Sequence, residues 1–145
     1  MEAELWSSDH WRNIEPSAAP LRWALAIESE FHDKVFKPHR KHIQSALGAH
    51  APRSGRACGI GQIAEVSEKA GSNNIGLKIM FAKIRGGDSL ASSDTLAKLR
   101  IVCDHRNKIA HIREKEGRAY TVEQCHDFLR EIRNMGWVFE FLEAL

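Results

Sequence analysis

The sequence predicts an all-α protein, an up-and-down bundle of about five helices. Three observations carry that expectation. Beyond residue 20, apolar residues recur at spacings of three and four. Stretches rich in Gly and Pro interrupt the pattern at intervals suited to helix connections. No run of alternating apolar and polar residues is long enough for a strand, and there is no internal repeat or low-complexity tract.

Taken in order, residues 1–19 hold Trp6 and Trp11 and end in a Pro- and Ala-containing stretch, which reads as an irregular arm. The helical domain spans 20–145. Its first helix carries Leu21, Leu25, Phe31 and Val35 at helical spacing, with Ala24 and Ile27 beside them and Pro20 in the first turn. Pro38 ends or kinks that helix, and the pattern resumes at Ile43 and Leu47. Residues 48–61 are rich in Gly and read as a loop. Ile60, Ile63, Ala64 and Val66 mark a helix closed near Gly71, and Leu77, Met80, Phe81 and Ile84 mark another closed by Gly86 and Gly87. A longer helix starts at Ser93 or Asp94, either of which can cap it, and carries Leu96, Leu99, Val102, Cys103, Ile109 and Ala110. Thr121 with Gln124 three residues later is a capping box that opens the last helix, whose apolar stripe runs from Val122 through Phe128 to Leu142.

Composition bounds the function classes. At 145 residues, 43% hydrophobic and 28% charged, the chain suits one domain with one core. No apolar stretch is long enough to span a bilayer and no secretory leader is recognisable at the N-terminus, so a membrane partner is not expected. Cys58, Cys103 and Cys125 are scattered and odd in number, which suggests a reduced, cytoplasmic setting. Net charge is only +2, but it is unevenly spread. No acid occurs between Lys34 and Arg56, a stretch that holds Lys37, Arg40, Lys41, Arg53 and three histidines. A second basic zone runs through Arg100, Arg106, Lys108 and Arg113. Such zones suit a polyanion such as RNA, or are simply solvated helix faces.

One residue does not fit its helix. At about 100° per residue, Arg106 falls in the middle of the stripe formed by Leu96, Leu99, Val102, Cys103, Ile109 and Ala110. A guanidinium keeps its charge, so burying it needs a compensating carboxylate such as Glu28 or Glu30, a helix end, a wet cleft or a bound anion. His111 would lie about 140° away from Arg106 on an unbroken helix, and reads otherwise as a surface histidine near a helix end.

The run Asp104-His105-Arg106-Asn107-Lys108-Ile109-Ala110-His111 resembles the R-x4–6-H motif of HEPN domains, including the polar residue directly after the Arg and a final helix to follow. The resemblance in layout covers roughly residues 20–145. It implies a HEPN-like bundle that forms two-fold homodimers, with the motifs of two subunits lining one cleft. It further implies a metal-independent endoribonuclease of a toxin–antitoxin or phage-defence system, with an antitoxin or other partner protein. On that reading His111 and Arg106 are catalytic, Asn107 orients the histidine or a phosphate oxygen, and Asp104 or Glu28 holds Arg106. Lys108, Arg113, Lys37, Arg40 and Lys41 are candidate RNA contacts. The alternative is a non-catalytic HEPN-like module that dimerises or binds RNA or nucleotide. HEPN toxins paired with nucleotidyltransferase antitoxins often carry a Tyr two residues after the His. Here Arg113 stands there and the only tyrosine is Tyr120, so tyrosine modification at that place is not expected.

No metal or cofactor is expected. The eight histidines and three cysteines do not give four ligands at zinc spacing. Gly59-x-Gly61 lacks the preceding strand that a dinucleotide loop needs.

Overall fold

The computed structural model describes residues 19–72, 74–84, 87–117 and 120–132. The arm expected over 1–19 and the apolar stripe beyond Ile132 lie outside them, save Ala19. The described residues form an all-α helical bundle. Its helices are α1 (Ala19–Phe31), α2 (Arg40–Leu47), α3 (Ile60–Gly71), α4 (Ile75–Lys83), α5 (Gly87–Leu90), α6 (Ser93–Glu116) and α7 (Val122–Glu131).

Helix α1 buries Trp23, Ala24, Ala26, Ile27 and Phe31 and leaves Leu25 61% exposed. Of the stripe expected there, Phe31 and Val35 are buried with Ala24 and Ile27, Leu21 is half-buried, and Leu25 alone of these faces out. Pro38 acts on the chain before it. It has no N–H to return to the preceding turn, and its ring crowds the carbonyl four residues back. The helix widens into a π turn over His32–Phe36, with Lys37 N donating to His32 O at 2.9 Å. Val35 and Phe36 in this turn are fully buried, so the wide turn also serves the core.

Helix α6 is the axis of the bundle. It packs most extensively on α3 and next on α1. Its start is capped one residue earlier than expected, by Ser92, whose Oγ accepts from Thr95 N at 3.2 Å. It ends at Gly117, whose φ of 63° places it in the left-handed region that favours glycine. Leu99 and Val102 are fully buried against the main core. Sealing each from water contributes about 1.5–3 kcal/mol.

Helix α3 begins at Gly59, a residue with no side chain to cap it. Two side chains do the work instead: Gln62 Oε1 accepts from Gly59 N at 2.7 Å, and Glu28 Oε1 on α1 accepts from Ile60 N at 3.0 Å. Glu28→Leu is expected to cost about 1 kcal/mol through the lost cap, and Glu28→Gln, which keeps an acceptor, clearly less. Urea unfolding of the two variants checks this. Equal losses would mean the contact is not a cap.

A second, smaller cluster of Ile109, Tyr120 and Cys125, flanked by Leu21 and Ile112, closes the end of the bundle where α6, α7 and the start of α1 meet. The capping box of α7 forms as expected, with Thr121 Oγ1 accepting from Gln124 N at 3.1 Å and Gln124 Oε1 accepting from Thr121 N at 2.9 Å.

Candidate functional site

The second half of α6 carries the residues singled out in the sequence. The polar residue sealed into the core is not Arg106 but its neighbour His105, which is 9% exposed. Arg106 is half-buried and Ala110 is exposed. The cause is a drift of the buried stripe around the helix. Its first half faces the main core through Thr95, Leu99 and Val102. Its second half turns through His105 and Ile109 toward the small cluster with Tyr120 and Cys125. Arg106 stands where α6 passes from one packing partner to the other. No acid lies within ion-pairing distance of its guanidinium among the described residues. Glu28, a candidate partner from sequence, is engaged at the start of α3.

His105 is satisfied on both ring nitrogens. Glu131 is an acceptor only, so Nε2–H donates to its Oε2 at 3.1 Å. Nδ1 then accepts from the Tyr120 hydroxyl at 3.0 Å. Burial first, then the neighbouring Cys125 and Glu131, raise the Tyr120 phenol above its usual range, which keeps that proton in place. The ring of His105 also meets the edge of Phe128, with centroids 5.1 Å apart. Sequence reasoning passed over His105, Tyr120 and Glu131 as a group. The available signal was a lone histidine at the buried spacing after Val102, with no apolar residue to take that place.

His111 is exposed and opens onto a groove of about 450 Å³ between the end of α6 and the start of α7. Asn107, Lys108, His111, Ile112 and Glu116 line it from α6, and Tyr120 and Gln124 line it from the other side. An adjoining hollow of about 300 Å³ shares Lys108, Tyr120 and Gln124 and holds Asp104, His105 and Glu131. The structure thus brings together Asn107, Lys108 and His111, with Asp104 one turn before Lys108. It does not bring Arg106 to the same groove. Helix α6 runs unbroken from Ser93 to Glu116, so Arg106 and His111 point about 140° apart within one chain. Asn107 Nδ2 donates to Cys103 Sγ at 3.7 Å rather than to His111. The side chain of Arg113 lies outside the described residues.

The other basic candidates sit on the turn between α1 and α2 and at the start of α2, and line neither hollow. Lys37 pairs with Asp33 at 3.4 Å, Arg40 lies over the Phe36 ring at 5.0 Å, and Lys41 is exposed. Burial and then His42 lower His39, so this turn carries less positive charge near neutrality than its histidines suggest. Glu65 on α3 answers part of the rest, taking His50 at 3.1 Å and Lys69 at 3.3 Å.

Among the described residues no three of His, Cys, Asp and Glu converge in a way that could hold a metal ion. Burial pushes the Cys58 and Cys125 thiols up to about 11, while Cys103 is half-buried. Maleimide at pH 8 is expected to modify Cys103 first in the native protein, as peptide mass spectrometry can show. Early labelling of Cys58 or Cys125 would contradict it. Both raised thiols hold their protons more tightly when folded. The stability they contribute is complete below the unfolded thiol range and is lost as pH rises through about 11.

No family model matches the chain, and neither a curated protein nor a solved structure matches it. Fold and site together define a class: an all-α helical bundle with an imidazole-bearing groove at one end of its longest described helix. Among the described residues no helix is long and apolar enough to cross a membrane.

Proposed function

We propose that the chain is a metal-independent endoribonuclease of HEPN type that acts as a homodimer. One observation carries this reading: Arg106 is half-buried without an acid partner among the described residues, on the same unbroken helix that presents His111 to a groove. A permanently charged group with no carboxylate paired to it among the described residues is suited to an anion such as a phosphodiester. Because the two side chains diverge on one helix, a phosphate can meet both only if a second copy supplies one of them. A two-fold axis near α6 would do so.

The chemistry follows from the residue types. The ribose 2′-OH attacks the adjacent phosphorus and the bond to the 5′-oxygen breaks, leaving a 2′,3′-cyclic phosphate and a 5′-OH. A neutral His111 imidazole takes the 2′-OH proton, and a protonated one returns a proton to the departing 5′-oxygen. Arg106 holds the non-bridging oxygens and stabilises the charge that grows on them. Asn107 and Lys108 border the same groove and would help seat the backbone, and Lys37, Arg40 and Lys41 offer a separate basic turn for flanking RNA. A toxin–antitoxin or phage-defence setting in the cytoplasm, with a protein partner that restrains the nuclease, fits this reading. Cleavage of single-stranded RNA in the presence of EDTA tests it. Equal activity in wild type, Arg106→Ala and His111→Ala removes it.

The second reading is a non-catalytic HEPN-like module that binds RNA, nucleotide or a protein. The divergence of Arg106 and His111 within one chain favours it if the protein is monomeric. RNA binding without product formation would support it.

A further inference from the structure

We infer that the groove beside His111 is a nucleobase subsite, taking one unpaired base of an RNA strand next to the bound phosphate. The inference rests in part on the nuclease reading, but it is made from the groove itself. Its lining residues run from Asn107 to Glu116, about 13 Å along α6 at 1.5 Å rise per residue, and its volume of about 450 Å³ is in the range of small-molecule sites, about 300–1,000 Å³. The exposed lining is chiefly apolar, with Ile112 on the α6 side and the largely buried Tyr120 on the other. That ring is fixed, because its hydroxyl is tied to His105, which is tied in turn to Glu131. A flat heterocycle can lie on an open, chiefly apolar surface backed by a fixed side chain, since little ordering remains to be done on binding.

The charges along the groove give it a direction. Lys108 lies near one end, His111 is central and Glu116 lies at the other end. A phosphate is favoured toward Lys108 and His111, which leaves the base toward Ile112 and Gln124. Beyond Tyr120 the adjoining hollow holds Asp104 and Glu131, which disfavours a second phosphate there. Gln124 supplies specific contact. Its Oε1 is committed to Thr121 N, which fixes the amide plane and leaves its N–H₂ as the group able to donate to a base acceptor. Sequence placed Gln124 in a helix cap only; the tertiary contact between α6 and α7 makes the same side chain part of the wall.

The experiment is equilibrium binding of the four nucleoside 3′-monophosphates, and of ribose 5-phosphate, to the full chain by calorimetry. At least one nucleotide is expected to bind ten-fold or more tightly than ribose 5-phosphate. Gln124→Glu keeps the oxygen that caps α7 but replaces the donor, and should weaken that nucleotide at least five-fold with an unchanged Tm. Lys108→Ala should weaken it and ribose 5-phosphate alike. Equal binding of ribose 5-phosphate and nucleotides, no binding at millimolar concentration, or full binding by Gln124→Glu each overturns the subsite. If RNA is still cleaved in such a case, the nuclease reading stands without it. Conversely, nucleotide binding that Gln124→Glu weakens, in a protein that cleaves no RNA, upholds the subsite and removes the nuclease.

Discussion

An equimolar mixture of Arg106→Ala and His111→Ala chains is expected to recover about a quarter of wild-type RNA cleavage, although each variant alone loses about 10²–10³-fold or more. The recovery follows from the shape of α6. Helical geometry sends the two side chains apart on one chain, so in the proposed homodimer a composite site takes its arginine from one copy and its histidine from the other. Random reassortment makes half of the dimers mixed. Each mixed dimer has one site with both groups intact and one with neither. If the site were built within a single chain, every site in the mixture would lack one group and the mixture would stay inactive. Gel-resolved cleavage of a labelled RNA after co-refolding or subunit exchange measures the outcome. Inactivity of the mixture, with both variants folded and dimeric, would sink the shared-site arrangement.

The largest expected effect on stability comes from His105. His105→Ala is expected to cost about 2–4 kcal/mol. It removes a ring that packs on Phe128 and leaves the buried Tyr120 hydroxyl without its acceptor. Tyr120→Phe keeps the ring and removes only the donor, at about 1–2 kcal/mol. Glu131→Gln should cost little, about 0–1 kcal/mol, because that carboxylate is half exposed and its pairing is screened. The order His105→Ala, Tyr120→Phe, Glu131→Gln in urea unfolding is therefore the test. A Glu131 variant as damaging as the His105 variant would mean that the contact with Glu131, and not the packed ring and its bond to Tyr120, holds α6 to α7.

The sequence made some elements plain and left others open for reasons that can be named. The positions expected to be apolar and inward in α3 (Ile60, Ile63, Ala64, Val66) and in the α4 region (Leu77, Met80, Phe81, Ile84) are all buried, and α3 adds Ser67 and Ala70. The capping box of α7 could be read because its partners are three residues apart. Local signals of this kind need no knowledge of neighbours. Leu25 misled because α1 has more apolar residues than one face can bury, and Trp23 with Ala26 took the core. Arg106 misled because a single stripe was drawn along a helix that packs on two clusters in succession. The cap at α3 was hidden because Glu28 arrives from 32 residues away.

Sequence by itself determined that the chain is helical, where most helices start and stop, and that Arg106, Asn107, Lys108 and His111 share one helix. These follow from spacing and from backbone chemistry within a few residues. Only the tertiary structure decided which side of that helix is wet. It set His105 rather than Arg106 into the core and built a groove from Lys108, His111, Tyr120 and Gln124. The physical reason is that burial belongs to pairs of elements. A helix fixes the angles between its own side chains, but the helices packed against it choose which of those angles face away from water.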